Sequence, residues 1–185
     1  MTSYQIVMDD ELEILIDAET IENAVAGLAE RISRDYAGKD LVLVGVLKGA
    51  VPFLADLARA VTIPVELEFV EASSYGNGTA SSGEVRLTRD LDRDVTARHL
   101  IIVDCIVDTG RTLKTLLELL RKRRPASVEA AVLLDKHVCR TEDVGIRYQG
   151  LEVPDRFLVG YGLDWAQKYR NLPYVAAVLP EKMNI

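Results

Sequence analysis

Cysteine is scarce in this chain: Cys105 and Cys139 are the only two in 185 residues. That count offers no framework of bridges and no Cys-x-x-Cys metal or redox pair, and it fits a reducing compartment. Aromatic residues make up only 6% of the chain, and the two histidines, His99 and His137, do not form a ligand pair by spacing. Cations are outnumbered, 22 Lys and Arg against 29 Asp and Glu, which gives a net charge of −7 and a pI near 4.9. Binding along a phosphate backbone wants a basic face, so this balance argues against nucleic acid as the main partner. It does not argue against a small anionic ligand, which needs only a few local cations or a metal. No apolar run approaches the ~20 residues of a membrane span. The start, MTSYQIVMDDELEIL, lacks the basic-then-apolar layout of a secretory signal. Repeats and low-complexity segments are missing too. The expectation is a cytoplasmic protein that is neither membrane-bound nor nucleic-acid-binding.

What is present is an alternation of element types in a length that suits one domain with a substantial core. ELEILI (11–16) reads as a half-buried strand, and Ile21, Val25, Leu28, Ile32 and Tyr36 follow helical spacing behind the possible caps Asp17 and Thr20. LVLVGV (41–46) is wholly apolar, as strands covered on both faces tend to be. VPFLADLARA (51–60) predicts a helix with Pro52 in its first turn, and PVELEFVEA (64–72) a strand. The Ser/Gly-rich stretch 73–84 then leads into EVRLT (84–88), the second arm of a long hairpin. HLIIVDCIV (99–107) predicts a buried strand, TLKTLLELLRKRR (112–124) a helix and SVEAAVLLD (127–135) a further strand. FLVGYGLD (157–164) and YVAAVL (174–179) predict strands near the end. Such an order implies an α/β domain around a mostly parallel sheet, with ligands at the carboxyl ends of its strands.

At one of those ends the chain reads IIVDCIVDTGRTL (101–113). Thr109, Gly110 and Thr112 can place backbone N–H groups and hydroxyls around one anion in front of a helix N-terminus. Gly110 lets the backbone approach closely. The geometry suits a monophosphate, and carboxylates just before it suit sugar hydroxyls or a magnesium ion bound to them. The same residues also fit a plain strand-to-helix turn in which Asp108 only caps the helix.

VDCIVDTGRTL resembles the phosphoribosyl pyrophosphate-binding motif of type I phosphoribosyltransferases. VLKGAVPFLADL (46–57) resembles the pyrophosphate loop of the hypoxanthine-guanine branch, and ASSYGNGTASSGEV (72–85) its mobile Ser-Tyr loop. LLDK (133–136) resembles its purine-contacting lysine segment, and VPDRFLVGYGLDWAQKYRNLPYV (153–175) its base-stacking and metal-binding tail. The matches come in the family's order from residue 12 onward. They imply the family fold over residues 1–185: a mostly parallel twisted sheet flanked by helices (roughly 20–150), with a small hood from 1–18 and 151–185.

The resemblance also implies an activity, the transfer of ribose phosphate from phosphoribosyl pyrophosphate to N9 of a 6-oxopurine. It implies Mg2+ as cofactor and a homodimer or homotetramer as the assembly. Residue by residue, Asp108, Thr109, Gly110, Arg111 and Thr112 would hold the 5′-phosphate, with Asp108 as general base or acid. Asp104 and Cys105 would belong to the phosphoribosyl site as well, with Asp104 meeting the ribose hydroxyls and magnesium. Lys48, Gly49 and Arg170 would bind pyrophosphate, and the Leu47–Lys48 peptide would be cis. Lys136 would donate to the purine O6, which favours hypoxanthine and guanine over adenine. Phe157 would stack on the base, the backbone around Leu158 would read its edge, and Asp164 would hold a second magnesium. Ser74 and Tyr75 would lie on a closing lid.

Cys105 departs from the pattern, because the family usually has two adjacent acidic residues where this chain has Asp104 and Cys105. Three readings stay open: an auxiliary carboxylate replaced while catalysis stays intact, a shifted metal or ribose preference, or a nucleotide-binding sensor with little turnover. If the cysteine merely stands in for a ribose-binding carboxylate, Cys105→Asp should tighten binding of phosphoribosyl pyrophosphate. Guanine or xanthine preference, or an RNA-binding regulator on the same fold, are the alternatives for function. DRDVT (92–96) matches a dehalogenase-type phosphatase signature but is not preceded by a buried strand, so it reads as a solvated connection. RKRR (121–124) reads as a solvated helix end, and Trp165 as packing.

Overall fold

Strands that are apolar on both faces need cover on both faces, and the chain supplies it by alternating strands with helices. The computed structural model describes residues 12–74 and 85–179. In chain order the elements are β1 (Leu12–Ile16), α1 (Ala18–Asp35), β2 (Leu41–Leu47), α2 (Val51–Ala60), β3 (Val65–Ser74), β4 (Val85–Arg89) and β5 (His99–Val107). They continue with α3 (Arg111–Arg121), β6 (Ser127–Asp135), β7 (Tyr148–Glu152), β8 (Leu158–Val159) and β9 (Val175–Val178). Six strands form one sheet in the order β4-β3-β2-β5-β6-β7, parallel except for β4, which returns antiparallel on β3. A separate antiparallel sheet, β1-β9-β8, is built from the two ends of the described chain.

The strand pleat sorts the core into two layers. Leu41, Leu43, Ile101 and Val103 face α1 and α2, where they meet Leu28, Ile32, Phe53 and Leu57. Val42, Val44, Leu100 and Ile102 face α3, which buries Leu113, Leu116, Leu117 and Leu120. Four leucines at about 1.5–3 kcal/mol each hold α3, and with it the loop that precedes it, against the sheet. Asp17 caps α1 by accepting from the Thr20 N–H at 2.8 Å, and hydrogen bonding from the Thr20 hydroxyl, then from that N–H, holds its carboxyl below the usual range.

Three expectations need correction. The helix over 112–124 ends at Arg121: Arg124 takes φ 55° ahead of Pro125, whose ring disfavours a helical predecessor. The strand over 157–164 is only Leu158–Val159, because Gly160, Tyr161 and Gly162 all have positive φ and coil the chain into tight turns. β7 has no counterpart among the expected strands; YQGLE has little apolar periodicity and pairs along one side only, at the sheet edge. The DRDVT segment lies in the β4–β5 connection, where Asp94 accepts from Thr96. His99 is structural, its Nδ1 2.8 Å from the Ser127 Oγ and its ring edge-on to Tyr36.

Candidate active site

β5 ends at the sheet's centre, and the loop after it forms the floor of a pocket of about 140 Å³ lined by Asp104, Asp108, Thr109, Gly110 and Thr112. Gly110 is the N-cap of α3 with φ 88°, a left-handed conformation that suits glycine, and no side chain caps the helix. Asp108 is therefore not a helix cap, and the amino end of α3 stays open to an anion. The loop is braced from behind: the N–H groups of Thr141 and Glu142 donate to the Thr109 carbonyl at 3.0 and 3.1 Å, and Arg140 Nε donates to the Asp108 carbonyl at 3.3 Å. Arg111 is half-exposed and lies near Glu142, 4.0 Å away.

Asp104 is half-buried in this pocket and has no cationic partner among the described residues. Burial pushes its carboxyl up to about 7, against the pull of hydrogen bonds from the Cys105 and Ile106 N–H groups. Cys105 is a correction. It continues the series Ile101, Val103 into the α1/α2 core, is 0% exposed, and donates its thiol to the Tyr161 carbonyl at 3.3 Å. Burial, then the nearby Asp104 charge, pushes the thiol pKa up. Its side chain cannot be a phosphoribosyl contact, and the period-2 pattern of the strand carries that signal in the sequence itself.

Lys136, the first residue after β6, turns its ammonium toward two carboxylates, Asp108 at 3.7 Å and Asp155 at 3.8 Å. Asp155 carries no signal in the sequence beyond standing two residues before Phe157. Cys139 sits in the same cluster: hydrogen bonding to Asp155, then burial, then Asp108 push its thiol up to about 11. Phe157 is 43% exposed and meets Trp165 edge-on, with ring centroids 6.5 Å apart. The Leu158 side chain is buried, so only its backbone is placed to read a ligand.

The remaining residues gather where the loop after β2 meets the turns at 160–170. The Leu47–Lys48 peptide is cis. A Cβ on Gly162, which has φ 98°, would stand 1.9 Å from the Gly49 carbonyl oxygen. Arg170 donates to the Gly162 carbonyl at 2.7 Å and pairs with Asp164 at 2.6 Å, while its Nε is buried without a partner among the described residues. Asp164 also accepts from the Gln167 N–H at 2.8 Å. Tyr161, which no motif singles out, joins these turns to α2 through a 2.6 Å hydrogen bond to Asp56. Ser74 ends β3, and Tyr75 lies outside the described residues. A larger cleft of about 510 Å³ between α1 and α2 holds none of the expected residues.

The family model of the phosphoribosyl transferase domain matches residues 12–165. The chain belongs to that family. It is 43% identical over 175 residues to the hypoxanthine-guanine phosphoribosyltransferase of Bacillus subtilis, covering 94% of this chain and 97% of that one. It is 42% identical over 173 residues to the bifunctional protein TilS/HprT of Listeria monocytogenes, where it spans 27% of the relative's length. The solved hypoxanthine phosphoribosyltransferase of Staphylococcus aureus superposes with a TM-score of 0.92 at 40% identity, covering 98% of this chain and 99% of that one. The phosphoribosyltransferase fold thus accounts for the larger sheet and the braced loop at its centre.

Among the described residues no three His, Cys, Asp or Glu side chains converge as a metal cage. Magnesium is bound by one or two carboxylates together with substrate phosphates rather than by such a cage. Asp104, short of any cation, is a donor of this kind.

Proposed function

We propose that the chain is a purine-salvage enzyme that transfers the 5-phosphoribosyl group of phosphoribosyl pyrophosphate to hypoxanthine, and to guanine, releasing pyrophosphate. The observation that carries this reading is the Lys136 ammonium held 3.7 Å from the Asp108 carboxylate at the rim of a phosphate-sized loop. A donor for O6 and a base for a ring proton are thereby set side by side, next to an anion site.

In the reaction the bond from C1′ to pyrophosphate oxygen breaks, the bond from C1′ to N9 forms, and the purine loses one ring proton. Thr109, Gly110 and Thr112 fix the 5′-phosphate, and the open amino end of α3 stabilises its charge. Lys136 donates to O6, Phe157 stacks on the base, and Asp108 takes the ring proton. Lys48, Gly49 and Arg170 receive the departing pyrophosphate, whose negative charge supplies the partner that Arg170 Nε lacks. Asp104 and Asp164 would hold magnesium, which when bound neutralises phosphate charge. The sheet β1-β9-β8 forms the hood over the base. The enzyme works in the cytoplasm as a homodimer or homotetramer; among the described residues no helix is long and apolar enough to cross a membrane.

A spectrophotometric assay with hypoxanthine, guanine and xanthine in turn, with magnesium and varied phosphoribosyl pyrophosphate, tests the reading. Nucleotide formation from hypoxanthine and guanine is expected. No turnover from folded protein that still binds nucleotide would overturn it, and equilibrium sedimentation checks the assembly.

A further inference from the structure

Asp108 and Lys136 lie just beyond the reach of the sheet that carries them. The β5–β6 ladder ends at the pair Val107–Asp135, so both residues are the first outside it. One backbone bond follows, from the Lys136 N–H to the Val107 carbonyl at 3.0 Å. The separation of the two side chains is then set by whatever ties the Asp108 backbone to the end of β6.

One guanidinium makes that tie. Arg140 pairs with the Asp135 carboxylate, and the two side chains are 13% and 4% exposed. The Nε of the same guanidinium donates to the Asp108 carbonyl at 3.3 Å. Its aliphatic stem packs on the phosphate loop as well: a Cβ on Gly110 would meet Arg140 Cδ at 3.0 Å. The planar fork of arginine spans two acceptors that a single ammonium cannot hold in the same relation.

We infer that Arg140 is a positioning residue for phosphoribosyl transfer, a strut that fixes the distance between the base Asp108 and the O6 donor Lys136 and holds the phosphate loop in register with both. It touches no substrate and acts through the backbone of Asp108 and the carboxylate of Asp135. This rests on the purine-site reading given above for Asp108 and Lys136.

Two variants separate a strut from a merely structural ion pair. Arg140→Lys keeps a charge for Asp135 and gives up the fork. Its kcat for hypoxanthine is expected to fall about tenfold or more, because small misplacements of reacting groups cost that much, with the melting temperature close to wild type. Losing one partner alone leaves a buried charge and can prevent folding, so the second variant removes both charges as Arg140→Met with Asp135→Leu. It is expected to fold and to show a kcat loss at least as large as that of Arg140→Lys. Wild-type kcat in the folded double variant would overturn the strut, as would kcat in Arg140→Lys within about twofold of wild type. Lys136→Ala is the control. A raised purine KM there with wild-type kinetics in both Arg140 variants refutes the strut alone; an unchanged purine KM removes the purine-site reading and the strut with it.

Discussion

The strand that leads into the phosphate loop touches the turns at 160–170 through the Cys105 thiol, and the loop and the turns are held in different ways. The loop is braced from outside: its carbonyls are taken by Arg140, Thr141 and Glu142, which leaves the amino end of α3 and the Asp104 carboxylate turned to the pocket. The turns keep their charged groups paired with each other, Asp164 with Arg170, while Gly49 and Asp56 hold them from the side of α2. One half of the site is preset for its ligand. In the other, an incoming anion competes with Asp164 for Arg170, and a cation competes with Arg170 for Asp164. Under the roles proposed above, pre-organisation favours tight holding of the 5′-phosphate, while exchange of partners suits a group that must leave.

The sharpest way to break the comparison is at Asp108. Its side chain is 56% exposed, so Asp108→Asn should leave folding intact while kcat falls on the order of 10²–10⁴-fold, as loss of a general base does. Steady-state assays beside a denaturant melt would show whether the two effects separate. Next comes the junction itself. Cys105→Asp places a carboxylate at a 0% exposed position against the Tyr161 carbonyl, an acceptor facing an acceptor. A destabilisation of about 3–5 kcal/mol is expected, together with weakened binding of phosphoribosyl pyrophosphate, the reverse of what a regained ribose-binding carboxylate would do.

The glycines test each region in kind. Gly162→Ala must clear a backbone oxygen 1.9 Å from the new Cβ at φ 98°, and should cost about 3 kcal/mol while raising the KM for phosphoribosyl pyrophosphate. Gly110→Ala meets the Arg140 side chain at 3.0 Å at φ 88° and should cost about 1–2 kcal/mol in the same denaturation experiment.

An effect confined to a window of pH concerns the two carboxylates. Asp104 binds a proton more tightly folded than unfolded, since burial lifts it from 3.8 to about 7. Its contribution to stability is most favourable below pH ~4 and is lost as pH rises toward 7. In metal-free buffer at pH 8, Asp104→Asn should be more stable than wild type by on the order of 2 kcal/mol, and the advantage should vanish near pH 4. Asp164→Asn, which removes a cation's partner, should show no such gain. Denaturant melts across pH decide between them.

Much of the fold and of the site is legible in the sequence alone. The doubly apolar runs at 41–46, 99–107 and 127–135 form the central parallel strands, because nothing but cover on both faces can bury such sequences. The Asp-Thr-Gly-Arg-Thr turn announces its anion pocket by chemistry that is local in sequence. Arg140, Asp135 and Asp155 are not legible, since a pairing across the end of a strand leaves no period to read. Cys105 misleads for another reason: its place in a motif suggests a ligand contact, while the simple alternation of its strand assigns it to the core. The turns at 160–162 read as strand because apolar and aromatic residues stand there, and only the left-handed backbone of three successive residues excludes it.

The pairing of β1 with β9 brings Leu12 beside Val178. On a ribosome, the phosphate loop has all its braces once Val144, which packs against Gly110, has emerged. The small sheet beside Phe157 waits for the final strand to close on the first. A growing chain would therefore complete the braced loop after β5 well before the smaller sheet, so the order of synthesis sets the order in which the two regions can form.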